Sequence, residues 1–193
     1  MATSSRVPTI SVSFVFLCVL FLAVACSDNA VPAGRTGIGI VDTVIDAIET
    51  NDPNGLVSLV RLEEVPCVRG GPTEITPLCT ENQATGTMVD TFSWNVCLGL
   101  QLGATTKADV AAWILEQDLS LFSVFEVPIT DESATRYLLL FDQPDSPGTP
   151  QLYRGSALTL SDAEILSSEG YCGQSANEIT TLVDFGDPIL LGE

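Results

Sequence analysis

Four stretches of strand-like sequence follow one another in the second half of the chain, and they constrain its fold more than any other feature. They occupy residues 119–127, 135–142, 151–160 and 165–171. Each is rich in apolar and β-branched residues, and the links between them are short and rich in Pro, Gly, Ser and Asp. Because short links place consecutive strands side by side, the sequence predicts an antiparallel meander.

The first half of the chain shows helical periodicity instead. One helical face is predicted from Val41, Val44, Ile45 and Ile48. Asp52 as N-cap and Pro53 in the first turn predict a second, short helix, and Thr106 caps a third over 107–117. Helices that come before the meander indicate a single domain of the α+β class over 40–193.

Two segments separate the predicted helices. The segment 63–86, rich in Gly and Pro at its centre, is expected to be irregular. Residues 88–94 alternate apolar and polar side chains and predict a strand.

The N-terminus reads as an export signal. Arg6 is the only charged residue among the first 27, and an apolar run over 12–25 follows it. The run has the length of a signal-peptide core and is shorter than the roughly 20 apolar residues of a membrane span. We therefore expect a signal peptide over 1–25 and a tether over 26–39, rich in small residues.

The end of this run, Leu22-Ala23-Val24-Ala25-Cys26, resembles the lipobox of bacterial lipoproteins. The resemblance implies that the thiol of Cys26 takes a diacylglyceryl group and that the protein is held at the outer face of a bacterial membrane. Two alternatives are a soluble secreted protein cut before Cys26 and an uncleaved anchor. All three readings place residues 27–193 outside the cytoplasm.

Four cysteines follow Cys26, namely Cys67, Cys79, Cys97 and Cys172. An even number in an oxidising compartment predicts two disulfides, with Cys67–Cys79 the local choice and Cys97–Cys172 the remaining pair. Zinc is the rival interpretation, but the spacing contains no Cys-x-x-Cys. We expect neither a metal site nor another cofactor.

Charge and composition exclude several functions. The chain carries 7 Lys+Arg against 25 Asp+Glu, a net charge of −18, and it contains no histidine. Such a surface repels nucleic acid, and a Ser-His or Cys-His catalytic site is impossible. Such a surface would attract cations or a basic partner, but high solubility or life in a salty environment is the simpler explanation.

Several residue groups resemble sites, yet each has a simpler explanation. A carboxylate stripe on the first helix suggests calcium, but calcium sites usually gather oxygens from a loop, so a solvated helix face fits better; its members are Asp42, Asp46 and Glu49. Five aromatic residues have the spacing of a pocket lining or of plain core; they are Trp94, Trp113, Phe122, Tyr137 and Tyr153.

Two parts of the chain together resemble the nuclear-transport-factor-two-like (cystatin-like cone) superfamily. They are the helical pair 45–60 and the late strands 137–141, 158–160 and 165–167. Cys67, Cys79, Gly86-Thr87 and Cys97 look like the Cys-flanked insert of a variant found in bacterial surface lipoproteins. The resemblance implies two or three N-terminal helices packed on a curved antiparallel sheet that encloses a pocket.

The superfamily contains enzymes as well as binding proteins. Enzymatic members place His, Asp or Tyr inside the cone, and no catalytic set maps onto this chain. Noncatalytic members bind small ligands or partner proteins, or dimerise through the open sheet face. We therefore expect a noncatalytic binding or interaction module of the cell envelope. The alternatives are a cone-fold enzyme that uses Asp, Glu or Tyr in a cavity, and a structural envelope component without a ligand.

Overall fold

The computed structural model describes residues 34–70, 76–96, 99–127, 135–143 and 153–192. All of them lie in one unit, Ala33–Glu193. The predicted signal peptide over 1–25 and the lipidation candidate Cys26 lie outside the described residues.

The described part of the chain contains four helices and eight strands. The helices are α1 (Gly39–Glu49), α2 (Pro53–Leu59), α3 (Lys107–Glu116) and α4 (Ala176–Leu182). The strands are β1 (Glu63–Pro66), β2 (Met88–Val96), β3 (Gly99–Ala104), β4 (Ser120–Val127), β5 (Arg136–Asp142), β6 (Tyr153–Leu160), β7 (Ile165–Cys172) and β8 (Leu190–Leu191).

The strands form one sheet in the order β1-β2-β7-β6-β5-β4-β8, and β3 pairs with β2 beside this path. The pairs β4–β5, β5–β6 and β6–β7 are antiparallel, which confirms the predicted meander. The β2–β7 pair is parallel, with Trp94 opposite Ser168. The sheet is therefore mixed, and the prediction of a purely antiparallel sheet is wrong at this pair. Strands so distant in sequence leave no local signal of how they pair.

Helices α1, α2 and α3 lie on one face of the sheet. Their buried side chains form one apolar cluster with the inward side chains of the strands; its fully buried members include Val44, Leu56, Ile114, Leu139 and Leu158. The α1 face is the predicted one, with Val41, Val44 and Ile45 at most 1% exposed. The N-cap of α2 at Asp52 and the capping box of Thr106 and Asp109 are also as predicted.

The opposite face of the sheet carries a smaller cluster, covered by α4. Phe125, Leu138, Leu140 and Ala157 pack there with Ala176 of α4. Gly155 permits this close approach, because a Cβ atom at this position would lie 2.9 Å from Cδ1 of Ile179. The prediction that the helices are N-terminal is therefore wrong for α4, which follows the last meander strand.

Strand β1 lies inside the segment 63–86 that was expected to be irregular. It pairs with β2 in an antiparallel register that places Val65 opposite Val89. The sequence of β1 is Glu-Glu-Val-Pro, which has no apolar alternation, so its extended conformation comes from pairing with β2 at the sheet edge.

The described residues begin within the predicted tether, and these residues contact α1. Arg35 pairs with Asp46 and Glu49, while the Thr36 and Gly37 amides donate to the Asp42 carboxylate at 2.8 and 2.9 Å. The folded body therefore includes the chain from about Arg35 onward, ahead of the predicted boundary at residue 40.

Candidate functional site

The apolar layer between the first three helices and the sheet includes a chain of aromatic contacts at its margin, where partly buried tryptophans pack against the buried cluster. Phe92 and Trp94 of β2 meet at a ring-centroid distance of 4.9 Å, and Trp94 meets Trp113 of α3 at 4.4 Å. Both contacts are edge to face, the arrangement that aromatic rings prefer. This packing ties α3 to the sheet.

The other predicted aromatic positions are divided between the two faces of the sheet. Tyr137 packs against the larger cluster, together with Trp94 and Trp113, and Phe122 packs against the smaller one. The side chain of Tyr153 lies outside the described residues. These five residues therefore do not form one pocket lining.

Polar groups in this inner layer are hydroxyls and amides. Gln143 Nε2 donates to Gln117 Oε1 at 2.9 Å and to Ser156 Oγ at 3.3 Å. Ser168, opposite Trp94 and Leu158 in the register, is 2% exposed, and its hydroxyl has no partner among the described residues. Neutral hydroxyls and amides orient a bound group, but at neutral pH they do not act as acids or bases.

The predicted carboxylate stripe serves the structure of α1. Asp42, in the first turn of the helix, accepts from the backbone amides of two residues that precede the helix and so holds the incoming chain against it. Asp46 and Glu49 bind Arg35, whose Nη2 donates to Glu49 Oε2 at 2.7 Å, and these hydrogen bonds raise the pKa of Arg35. These contacts account for the stripe without a calcium ion.

The cysteines divide between described and undescribed parts of the chain. Cys67 and Cys79 form a disulfide, which confirms the predicted local pair. Cys172 is also disulfide-bonded. Cys97 and the lipidation candidate Cys26 lie outside the described residues, so the Cys97–Cys172 pairing and lipidation stay predictions.

One tyrosine interacts with a carboxylate, as an acid-base pair would. The hydroxyl of Tyr171 donates to Glu169 Oε2 at 3.0 Å. Burial and the nearby Glu169 charge raise the pKa of Tyr171, so the phenol stays protonated at neutral pH. Tyr171 packs against the smaller cluster on the α4 side of the sheet, away from the inner layer. The pair therefore acts as a structural hydrogen bond.

A surface hollow of about 450 Å³ lies at the edge of the sheet where β4 ends. Glu126 and Val127 of β4 line it together with the segment Asp184–Asp187. The ring of Phe185 packs on Phe125 at a centroid distance of 5.3 Å, and Asp184 Oδ1 accepts the Gly186 amide at 3.0 Å. The hollow therefore combines an aromatic wall with three carboxylates, which suits a cationic group.

This hollow was not predicted from the sequence. Residues 182–185 are a mainly apolar patch in the tail 173–193, for which no element was predicted. The capping-box pattern of Ser175 and Glu178 was the signal that would have located α4, and so the segment that follows it.

Two further observations concern the described residues as a whole. Among the described residues, no three His, Cys, Asp or Glu side chains are grouped as metal ligands would be. The helices in the same ranges include none that is both long and apolar enough to cross a membrane.

Comparisons with known proteins give no relatives. No protein-family model matches the chain, and no match is found among curated proteins or solved structures.

Proposed function

We propose that this chain is a noncatalytic lipoprotein of the cell envelope that binds a partner protein through its outer surface. The anchor rests on the sequence Leu22–Cys26 and the apolar run before it. The cone-like domain of the proposal is supported by three helices on one face of a sheet whose last strands form a meander.

The binding role is supported by one difference: the interior of the domain is packed with its own side chains, whereas apolar side chains are exposed on its surface. Buried apolar side chains of the chain itself pack the inner layer, Phe92 among them, and Trp94 and Trp113 pack against this cluster. On the outside, four of the exposed large apolar side chains belong to the C-terminal segment 182–191, which also contributes Asp184–Asp187 to the acidic hollow; they are Leu182, Val183, Ile189 and Leu191. Such a concentration of exposed apolar side chains in one segment favours a partner site.

The enzyme alternative has less support. Its acids or tyrosines would face the interior. Tyr137 does pack there, with its pKa raised chiefly by burial, whereas the Tyr171–Glu169 pair lies on the other side of the sheet. A tyrosine with a raised pKa is also a poor proton acceptor at neutral pH.

Lipidation is tested by fractionating cells that express the full chain or the Cys26→Ala variant. We expect the native chain in the membrane fraction, and we expect globomycin or Cys26→Ala to cause precursor accumulation or release. Cys18→Ala serves as a control that also replaces a cysteine of the N-terminal region, and it should leave the membrane association unchanged. Unaltered fractionation of Cys26→Ala would reject the anchor.

Binding outside the interior is tested by tryptophan fluorescence, because the two tryptophans of the chain both lie in the inner layer. Titration with a small-molecule library should leave the emission maximum unchanged. A saturable shift that is abolished by Trp94→Phe would place a ligand in the interior and contradict the proposal.

A further inference from the structure

Among the residues that the structure describes, the last strand pairs with only part of the β4 edge. Strand β8 pairs with β4 at Ser123 and Val124, whereas β4 continues to Val127. The carbonyls of Phe122 and Val124 accept the Gly192 and Ile189 amides, both at 2.7 Å. Because backbone groups alternate sides along a strand, the N–H and C=O of Glu126 point to the same edge.

The chain does not continue the pairing at this point. Pro188 precedes the β8 region and has no N–H to donate. The hollow lies between Glu126 and Val127 on one side and Asp184–Asp187 on the other. Within the described residues, the β4 edge beyond Val124 therefore has no partner strand.

The C-terminal segment that returns to β4 also carries exposed apolar side chains. We call Leu182, Val183, Ile189 and Leu191 the C-terminal ridge. Leu182 and Leu191 are 67% and 65% exposed, and outside the ridge the exposed large apolar side chains among the described residues are Leu78 and Met88. A sheet edge with a flanking apolar surface offers both backbone pairing and side-chain contacts to an extended peptide.

Charge determines which peptide fits. The hollow carries Glu126, Asp184 and Asp187 around Phe185, and the whole chain has a net charge of −18. A second copy of the chain or an anionic membrane would meet repulsion here, whereas a Lys or Arg side chain gains carboxylate contacts and a cation–π contact.

We propose that the β4 edge at Glu126 docks an extended basic segment of a partner protein. The segment adds a short strand to β4, directs a Lys or Arg side chain into the hollow and covers the C-terminal ridge with apolar residues. This inference rests on the proposed function and names the surface and partner class for it.

The test uses the full exported chain in detergent and a labelled peptide of alternating Lys and Val. We expect saturable binding, and Asp184→Asn with Asp187→Asn should weaken it about tenfold, the loss of roughly two exposed charge contacts. The matched control is Glu63→Gln with Glu64→Gln, which removes the same charge from β1 at the opposite edge of the sheet. If the two double substitutions weakened binding equally, the interaction would be general charge attraction, and the proposal would be overturned.

A second measurement locates the peptide and does not depend on the variants. Hydrogen exchange of the native chain should slow at the Glu126 amide when the peptide is bound, and a peptide with N-methylated backbone amides should lose both this protection and its affinity. Absence of binding, or binding without protection at Glu126, would reject the docking site. Membrane fractionation of the native chain is independent of either result, so failure here is distinguishable from failure of the lipoprotein proposal.

Discussion

The indole of Trp94 on β2 meets the indole of Trp113 on α3 edge to face, with ring centroids 4.4 Å apart and planes at 82°. Trp94 also lies opposite Ser168 of β7 in the parallel pair that makes the sheet mixed. Trp94 therefore contacts the helical layer from the strand pair that joins β1, β2 and β3 to the meander.

We expect Trp113→Ala to lower the free energy of unfolding by about 3 kcal/mol, because it removes a large ring from the inner layer and leaves Trp94 without its edge contact. Leu182→Ala is the control, since Leu182 is 67% exposed and its loss should cost less than about 0.5 kcal/mol. Urea denaturation followed by circular dichroism measures both. A loss for Trp113→Ala no larger than that of the control would contradict the described packing.

The Cys67–Cys79 disulfide closes a loop with a sequence separation of 12. In the chain-entropy model such a bridge stabilises by about 3 kcal/mol, so Cys67→Ser with Cys79→Ser should lower the unfolding free energy by about that amount. Alkylation of the unreduced, unfolded chain, followed by peptide mass analysis, should leave both cysteines unmodified. Labelling at either one would show that the bridge does not form.

The close approach of the C-terminal segment to β4 requires glycine at position 192. A Cβ atom at this position would lie 1.9 Å from the carbonyl oxygen of Leu121, and the Gly192 amide donates to Phe122. We expect Gly192→Ala to detach β8, because so short a strand opens locally at lower cost than the core adjusts. Hydrogen exchange at Ile189 should then accelerate at least tenfold. Gly103→Ala, where a Cβ would meet open space, is the control and should leave that exchange rate unchanged.

The stability of α4 should depend on pH through Glu178. Hydrogen bonds from the Ser175 amide and hydroxyl lower the pKa of Glu178 in the folded state. A lowered folded-state pKa means that its stabilisation is present above the unfolded value, about 4.3, and is lost as pH falls through the folded value. Glu178→Gln should therefore be less stable than the native chain at pH 7, and the difference should shrink toward pH 3. A difference that is constant between these pH values would contradict the capping role.

Local patterns predicted the elements whose stability depends on neighbours in sequence. The apolar face of α1, the cap at Asp52 and the capping box at Thr106 are interactions within a few residues, and all three are present. The meander strands were predicted because short links leave neighbouring strands little choice of partner. The local disulfide Cys67–Cys79 belongs to the same class, since the chain between its cysteines is short.

Two kinds of element were missed: β3 and α4 had local signals, since β3 pairs with its neighbour β2 and α4 begins at a capping box, whereas β1 and β8 depend on other strands. Strand β1 is extended because β2 pairs with it, and the short β8 is defined only by its contact with β4. The candidate docking edge was missed for the same reason, because Glu126 and Asp184 come together only when the C-terminal segment returns to β4.

The amino-acid sequence alone was enough to establish the acidic, histidine-free chemistry, the α+β class and the local helices and strands, because these depend on composition and on interactions between near neighbours. Only the folded chain decided the parallel β2–β7 pair, the second apolar face under α4 and the acid-lined edge beside β4. Each of these joins segments far apart along the chain, and the energy that selects them is the burial of surfaces that no single segment contains.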